Sequence, residues 1–542
     1  MRGASYGGPG SIELTALRVG GADALEKVEP AETWVRVPLA RPVSPGGSVE
    51  IGAEWVARLP PIFARTGWLG SFHLVAQWFP KLPVLSAGGE WLLRERHANS
   101  EFLADHVDYD VALDVPAGWR VGACGEEATA TEGAGGGAAR ERHRFTVRRA
   151  VDFAWTAWDG FDEFREEVDG IGVRWLYPAA AGRTLARQRR ALAAALPRFR
   201  RWFGPLPYGR LTVVLVPPGA DGAGGMEYPG FVTTTSSPAF AGPGVEWAGY
   251  RDDQEVVIHE LAHQWFYALV ATDEAREPWL DEALATWVTG AAMDDIFGAD
   301  RSSVSAGPVG IGYLATRRAC WRLVDSRVPS DRSAEAFPSF DDYAAGVYCR
   351  GALALDALAL AAGRERVLRG LGRYAAEHRF ARASAAELYA ALEREAGPDP
   401  VARVFRPAME QPAAFDLVLE SVEVRRAASD AELIAPRTSP GARWVTTVVV
   451  RRKGASIEVP VEVEFRFPGA SRRGRWDGSG AAVRFAVQSD RPPTSVLLDP
   501  DRRVLLDRNL LDNGWRASDP SWVEGVGDET FAAFGGLLEV LF

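Results

Sequence analysis

The chain has 542 residues, with 61 Lys and Arg against 72 Asp and Glu, a net charge of −11, and 47% hydrophobic residues. This balance excludes a disordered or collagen-like chain, and with no basic cluster to offset the acids it argues against binding to nucleic acid or to an anionic membrane. At about 150 residues per domain the length allows three or four domains, each able to bury its own core.

Neither end carries an export signal, since no basic segment leads into an apolar run, and no stretch approaches the ~18 apolar residues that would span a bilayer. The chain as written is therefore expected to be soluble and cytoplasmic, with an extracytoplasmic location left open if the N-terminus is truncated. Gly8–Ser11 and Leu538–Phe542 resemble pieces of a protease-cleavable expression tag. Cys124, Cys320 and Cys349 are odd in number, far apart and lack a CxxC spacing, so all three are read as packed thiols without a disulfide framework.

The first ~170 residues read as β structure. In Val107–Val115 apolar residues alternate with Asp108, Asp110 and Asp114, the period that buries one face of a strand. The Gly- and Ala-rich tract Thr131–Ala139 reads as a hairpin loop. Composition changes near Ala179, where Arg183–Arg201 carries apolar residues at helical spacing and Leu211–Val216 follows as a buried strand. Helical patterns then run from Asp253 to about Glu410. They include Gly351–Ala362, and Ser384–Ala396 with the capping-box pair Ser384 and Glu387. From about Phe415 alternation returns, and Pro460 in the run Ile457–Phe467 predicts an edge strand because it withholds one ladder donor. Asp499-Pro-Asp-Arg502 reads as a turn rather than a calcium site.

The sharpest chemical signal is HisGluLeuAlaHis at residues 259–263. On a helix, positions i and i+4 share a face, so His259 and His263 can aim ring nitrogens at one ion while Glu260 stands beside it. Imidazole suits zinc, and a third ligand is available in Glu282, within Trp279–Trp287, leaving a fourth position for water. His73, His97, His106, His143 and His378 have no ligand spacing.

This pattern, with Gly224-Gly-Met-Glu-Tyr228 upstream and Tyr348-Cys-Arg-Gly351 downstream, resembles the gluzincin zinc aminopeptidases of the aminopeptidase N and leukotriene-A hydrolase type. The likeness runs from about Gln77 to Leu511, in a short form without that family's large terminal helical domain. It implies a multidomain α+β fold: an N-terminal β-sandwich or saddle domain at 1–175, a thermolysin-like α/β catalytic domain at 176–412, an Ig-like β-sandwich at 413–512, and a tail at 513–542.

By the same resemblance, His259, His263 and Glu282 bind one zinc ion per chain, and Glu260 is the general base acting on a metal-activated water. Tyr348 donates to the oxyanion; Tyr343, five residues earlier, is the weaker choice and reads as a packing residue. Glu227 holds the free α-amine of a peptide, and Gly224 and Gly225 offer backbone to it as an extra strand. Met226 and Tyr228 complete the substrate-binding segment, although Tyr228 stands where many relatives have Asn. Gln77 and Glu101 line the first domain's side of the cleft in relatives, without a role assigned here. The activity implied is removal of N-terminal residues from peptides. A zinc endopeptidase, a bifunctional peptidase and epoxide hydrolase, and a catalytically silent peptide-binding scaffold stay open as alternatives.

Overall fold

The computed structural model describes residues 10–517 except 32, 63, 87, 95–98, 129–130, 133–138, 237–248, 325, 413–414 and 428–442. His97, most of the tract Thr131–Ala139 and both tag-like ends lie largely outside the described residues. The fold mixes helices and sheets and divides into two compact units, with the chain passing more than once between them. The first holds Met1–Ala275, Val288–Ile311 and Ala375–Ser384, and the second Arg276–Trp287, Gly312–Tyr374 and Ala385–Phe542.

In the first unit, Val107–Pro116 pairs antiparallel with Arg140–Ala150, burying Leu113 and Val115 as the alternation predicts. A neighbouring sheet orders Arg120–Ala123, Trp155–Trp158, Phe72–Val75 and Gly67–Leu69. Phe72, Phe145 and Phe153 fill their shared core, and Trp78, flanked by Trp55 and Trp155, packs against it. A third sheet runs Phe161–Val168, Ile171–Pro178, Arg210–Val216 and Phe231–Thr235, antiparallel at its first pair and parallel at the next two. The crossover between its second and third strands is helix α1, Gly182–Phe203, which buries Leu185, Leu192, Leu196, Phe199 and Phe203 along one stripe. Gly204 ends α1 with φ +90, a conformation open chiefly to glycine. Helix α2, Asp252–Ala262, packs on α1 and on Phe231–Thr235.

Helix α3, Trp279–Phe297, crosses the division between the units after Trp287. In the second unit, α4 (Tyr313–Leu323) and the one-turn α5 (Phe340–Tyr343) lead to a π-helical stretch, Ala344–Arg350, that continues into α6, Gly351–Ala362. Contrary to the packed-thiol expectation, Cys320 on α4 and Cys349 in the π-helical stretch form a disulfide, with Cα atoms 6.2 Å apart. Their separation of 29 residues carried no hint of it, because only the packing of α4 beside that stretch brings them together. Cys124 is buried as a free thiol, as expected. The run Phe340–Ala362 is long and apolar enough to cross a membrane by length and composition, but 67% of its most apolar 18-residue window is buried inside the protein, as in the core helix of a globular fold.

Two sheets close the second unit. One orders Phe415–Arg426, Trp444–Gly454 and Ala482–Ser489, and the other Ala470–Trp476, Val461–Phe467, Ser495–Leu498 and Gly514–Arg516. Phe465 of one meets Phe485 of the other at 6.4 Å between ring centroids. The edge-strand expectation fails here. Pairing starts at Val461, just past Pro460, so the missing donor costs the ladder nothing and the strand lies between two partners. Asp499 makes the expected turn, its carboxylate accepting from the N–H groups of Arg503 and Val504.

Candidate metal centre

Helix α2 begins with Asp252, Asp253 and Glu255, acids that suit the positive end of a helix. Arg187 of α1 grips both Asp253 oxygens, at 2.9 and 2.6 Å, which locks the helix in rotation. That rotation puts His259 and His263 on one face with their Nε2 atoms 3.0 Å apart. His263 is 1% exposed, and its Nδ1 lies 3.1 Å from the Phe266 carbonyl. A carbonyl only accepts, so Nδ1 carries the proton and Nε2 keeps its lone pair for a cation.

The donor chemistry fits zinc. Two nitrogens bound tetrahedrally at about 2.05 Å from one ion stand about 3.3 Å apart, close to the spacing found. Glu260, 4% exposed, lies between the two histidines in the sequence.

The segment Gly224–Tyr228 lies against α2. A Cβ added at Gly225, whose φ is +73, would stand 3.6 Å from Glu260 Oε1. The fastening comes from Gln264, a fully buried residue that no motif singled out. Its amide oxygen accepts from the Gly230 N–H at 2.8 Å, and its amide nitrogen donates to the carbonyls of Glu227 and Tyr228 at 3.2 and 3.3 Å.

The N–H groups of Gly225 and Met226 both donate to Thr233, and that of Gly224 to Asp221. A peptide added here as a strand would therefore have to bond to carbonyl groups. Met226 and Tyr228 are 6% and 0% exposed and belong to the hydrophobic core, Tyr228 beside Phe231. Their side chains are thus packed among core residues, with little surface of their own. Burial, reinforced by Glu101, Asp152 and Glu227, pushes the Tyr228 phenol well above its usual range.

Gln77 and Glu101, left without a role by the sequence, join a buried network. Gln77 donates to Glu101 at 2.6 Å and to Asp152 at 2.7 Å, Lys81 bridges Gln77 and Asp152 at 2.8 Å to each, and Arg65 bonds Glu101. The Glu101 N–H donates to Glu274 at 2.9 Å. Burial opposes the charge on Arg65, yet Glu101, Glu227, Tyr228 and Glu274 outweigh it and hold the guanidinium protonated. Arg65 is therefore within electrostatic reach of Glu227. Both Arg65 and Gln77 have positive φ, 60 and 53, an uncommon conformation for residues with a Cβ.

In the second unit, Glu282 occupies the first turn of α3, its N–H bonded to the Pro278 carbonyl at 3.1 Å. The Tyr348 hydroxyl donates to Glu282 Oε1. Tyr343 is 2% exposed and packs between Phe337 and Tyr348, the structural part expected of it. Thus His259, Glu260, His263 and the Gly224–Tyr228 segment assemble in one unit, and Glu282 with Tyr348 in the other.

Residues 191–407 match the profile of the peptidase family M1 domain. The match spans the helices and strands that carry the two histidines, Glu260 and Glu282. The motif resemblance to the gluzincin aminopeptidases is thereby borne out. Curated relatives agree: aminopeptidase N of Streptomyces lividans is 27% identical over 331 residues, covering 56% of this chain and 36% of that protein. Aminopeptidase 2 of Candida albicans is 29% identical over 213 residues, covering 39% and 22%. The chain thus matches about a fifth to a third of the length of these M1 relatives.

The fold is also that of solved M1 enzymes. Aminopeptidase A of Legionella pneumophila, solved with aspartic acid, aligns with TM-score 0.65 at 14% identity over 94% of this chain and 55% of that one. An M1 zinc metallopeptidase from Deinococcus radiodurans aligns with TM-score 0.53 at 21% identity over 74% and 84%.

Proposed function

We propose that this chain is a zinc aminopeptidase that removes N-terminal residues from peptides. The observation that carries the reading is the convergence of the His259 and His263 Nε2 atoms beside Glu260, with the His263 tautomer set by Phe266. As the motif resemblance implies, His259, His263 and Glu282 supply two imidazole nitrogens and a carboxylate oxygen to one zinc per chain. Zinc held there supplies Lewis acidity, which makes water a usable nucleophile at neutral pH.

The chain's own residues do the rest. Glu260 takes a proton from the attacking water and returns it to the leaving amine. Tyr348, whose hydroxyl donates to Glu282, turns that proton toward the oxyanion as the carbonyl oxygen gains charge. Glu227 pairs with the substrate's α-ammonium, and Arg65 keeps the neighbouring acids from competing for it. Gly225 leaves room for a peptide beside Glu260, since any side chain would start within van der Waals contact of that carboxylate.

The domain reading goes with this function: β structure at 1–175, a thermolysin-like catalytic domain at 176–412 and an Ig-like sandwich at 413–512, with the tail expected at 513–542 starting later because Gly514–Arg516 is a strand of the second C-terminal sheet. The disulfide favours an oxidising compartment over the cytoplasm.

The test is a short peptide mixture offered with free amino termini and again N-acetylated, with and without a chelator. Chelator-sensitive trimming of the free peptides alone is expected. Equal cleavage of both would replace this reading with an endopeptidase, and cleavage of neither by zinc-loaded protein would leave a peptide-binding scaffold.

A further inference from the structure

The residue that follows Tyr348 is one half of the disulfide. Three successive positions after that tyrosine are tied down, each by a different means. Cys349 is bonded to Cys320 on α4. The buried Arg350 guanidinium donates to the carbonyls of Val328, at 3.4 Å, and Gln411, at 2.7 Å. Gly351 lets α6 approach α3 so closely that a Cβ there would stand 2.5 Å from the Cβ of Ala283, the neighbour of Glu282.

The stretch itself is π-helical, a form that is seldom stable without outside support and tends to occur at functional sites. Of the three ties, only the disulfide can be broken and remade chemically. Both of its cysteines are partly exposed, whereas Cys124 is fully buried and its thiol is pushed up by burial, away from the reactive thiolate.

We propose that the Cys320–Cys349 disulfide is a positioning device for the Tyr348 hydroxyl, and that its reduction lowers turnover while leaving metal and peptide binding in place. The inference rests on the aminopeptidase reading for its catalytic readout. In the reduction a dithiol gives up two electrons and two protons and closes its own S–S bond. Cys320 and Cys349 each gain one electron and one proton as their bond breaks. The π-helical stretch then loses its covalent anchor to α4, and the Tyr348 hydroxyl samples positions away from the developing oxyanion. The metal ligands lie on other elements, His259 and His263 at the end of α2 and Glu282 on α3, and Tyr348 gives Glu282 a single hydrogen bond, so the loss falls on kcat rather than on KM or zinc content.

The experiment compares oxidised zinc-loaded protein with protein reduced by a phosphine, which is oxidised to its phosphine oxide with oxygen drawn from water. A kcat lower by about tenfold, with KM held within about twofold, is expected for loss of positioning at an oxyanion donor. Zinc content should stay constant, reoxidation should restore the rate, and Cys320→Ser should show the reduced rate in either buffer. A reduced kcat within about twofold of the oxidised value, or a loss that follows zinc content or KM, overturns the proposal.

Hydrogen exchange supplies a readout that does not need catalysis. Amides of 344–350 should exchange at least about tenfold faster after reduction while those of Ala385–Ala396 keep their rate. Unchanged exchange in 344–350 overturns the proposal whatever the activity. Faster exchange there in a protein that cleaves no peptide in either state supports the positioning role and sinks the aminopeptidase reading instead.

Discussion

Glu260 sits between His259 and His263 in the sequence and beside Gly225, whose missing side chain leaves space next to it. Glu260→Gln keeps the shape and every ligand but removes the base. We expect turnover to fall by about 10²- to 10⁴-fold with zinc stoichiometry unchanged, measured as kcat beside metal content. A near-native rate would mean that another group accepts the proton. His259, Glu260 and His263 were legible because their chemistry needs a fixed spacing on one helix, and a spacing is written in the sequence. Arg65, Gln77, Glu101 and Asp152 were not, since they meet across separations of 24 to 75 residues and each alone is an ordinary polar side chain. Gln264 was hidden for a different reason. A glutamine after a histidine looks like any other, and its value lies in the backbone atoms it reaches.

Among the elements, helices declared themselves most clearly. Gly351–Ala362 stops where its composition predicts, although helical backbone runs into it from the π-helical stretch, and α1 covers the expected Arg183–Arg201 with a residue or two at each side. What periodicity could not convey was the π-helical stretch before α6, because its wider turns lie in a run so rich in small and apolar residues that no single face stands out. The disulfide escaped for a related reason: cysteine spacing reports loops closed by local chemistry, not helices brought together by packing. Gly351→Ala tests how tightly α6 and α3 are set. With a new methyl carbon 2.5 Å from Ala283 Cβ, the helices must part, and overpacking of this kind costs about 1–3 kcal/mol. A lower Tm together with a reduced kcat is expected. An unchanged Tm would show that the contact yields freely.

Across the second unit, the C-terminal sheets are tied to α4 through Asp507, whose carbonyl accepts from the Arg322 guanidinium at 3.2 and 3.0 Å. The Asp507 carboxyl is fully buried, and burial, with Asp416 nearby, pushes its pKa up to about 7 despite hydrogen bonds from Asn513 and backbone N–H groups. A folded-state pKa above the unfolded value of about 3.8 means that the folded form holds the proton more tightly. The contribution to stability is complete below about pH 3.8 and is lost as the pH rises through about 7, up to about 4 kcal/mol at 1.36 kcal/mol per pH unit. Asp507→Asn should flatten this slope between pH 4 and 7, as read by denaturant unfolding at several pH values. An identical slope in the variant would assign the effect to other groups. The gross order of β, mixed and β structure was readable from alternation and helical spacing. The division into two units that exchange segments was not, because it is set by which surfaces meet rather than by any local pattern.

Gln264 holds the segment ahead of Phe231 through main-chain groups alone, the Gly230 N–H and the carbonyls of Glu227 and Tyr228. The clamp is therefore indifferent to which side chains the segment carries, but the core is not: Tyr228 is fully buried beside Phe231, and a small polar residue in its place would leave a cavity there. The loop is thus pinned twice, by Gln264 through its main chain and by the core through Tyr228, and Gly225 keeps its place beside Glu260 through two independent attachments.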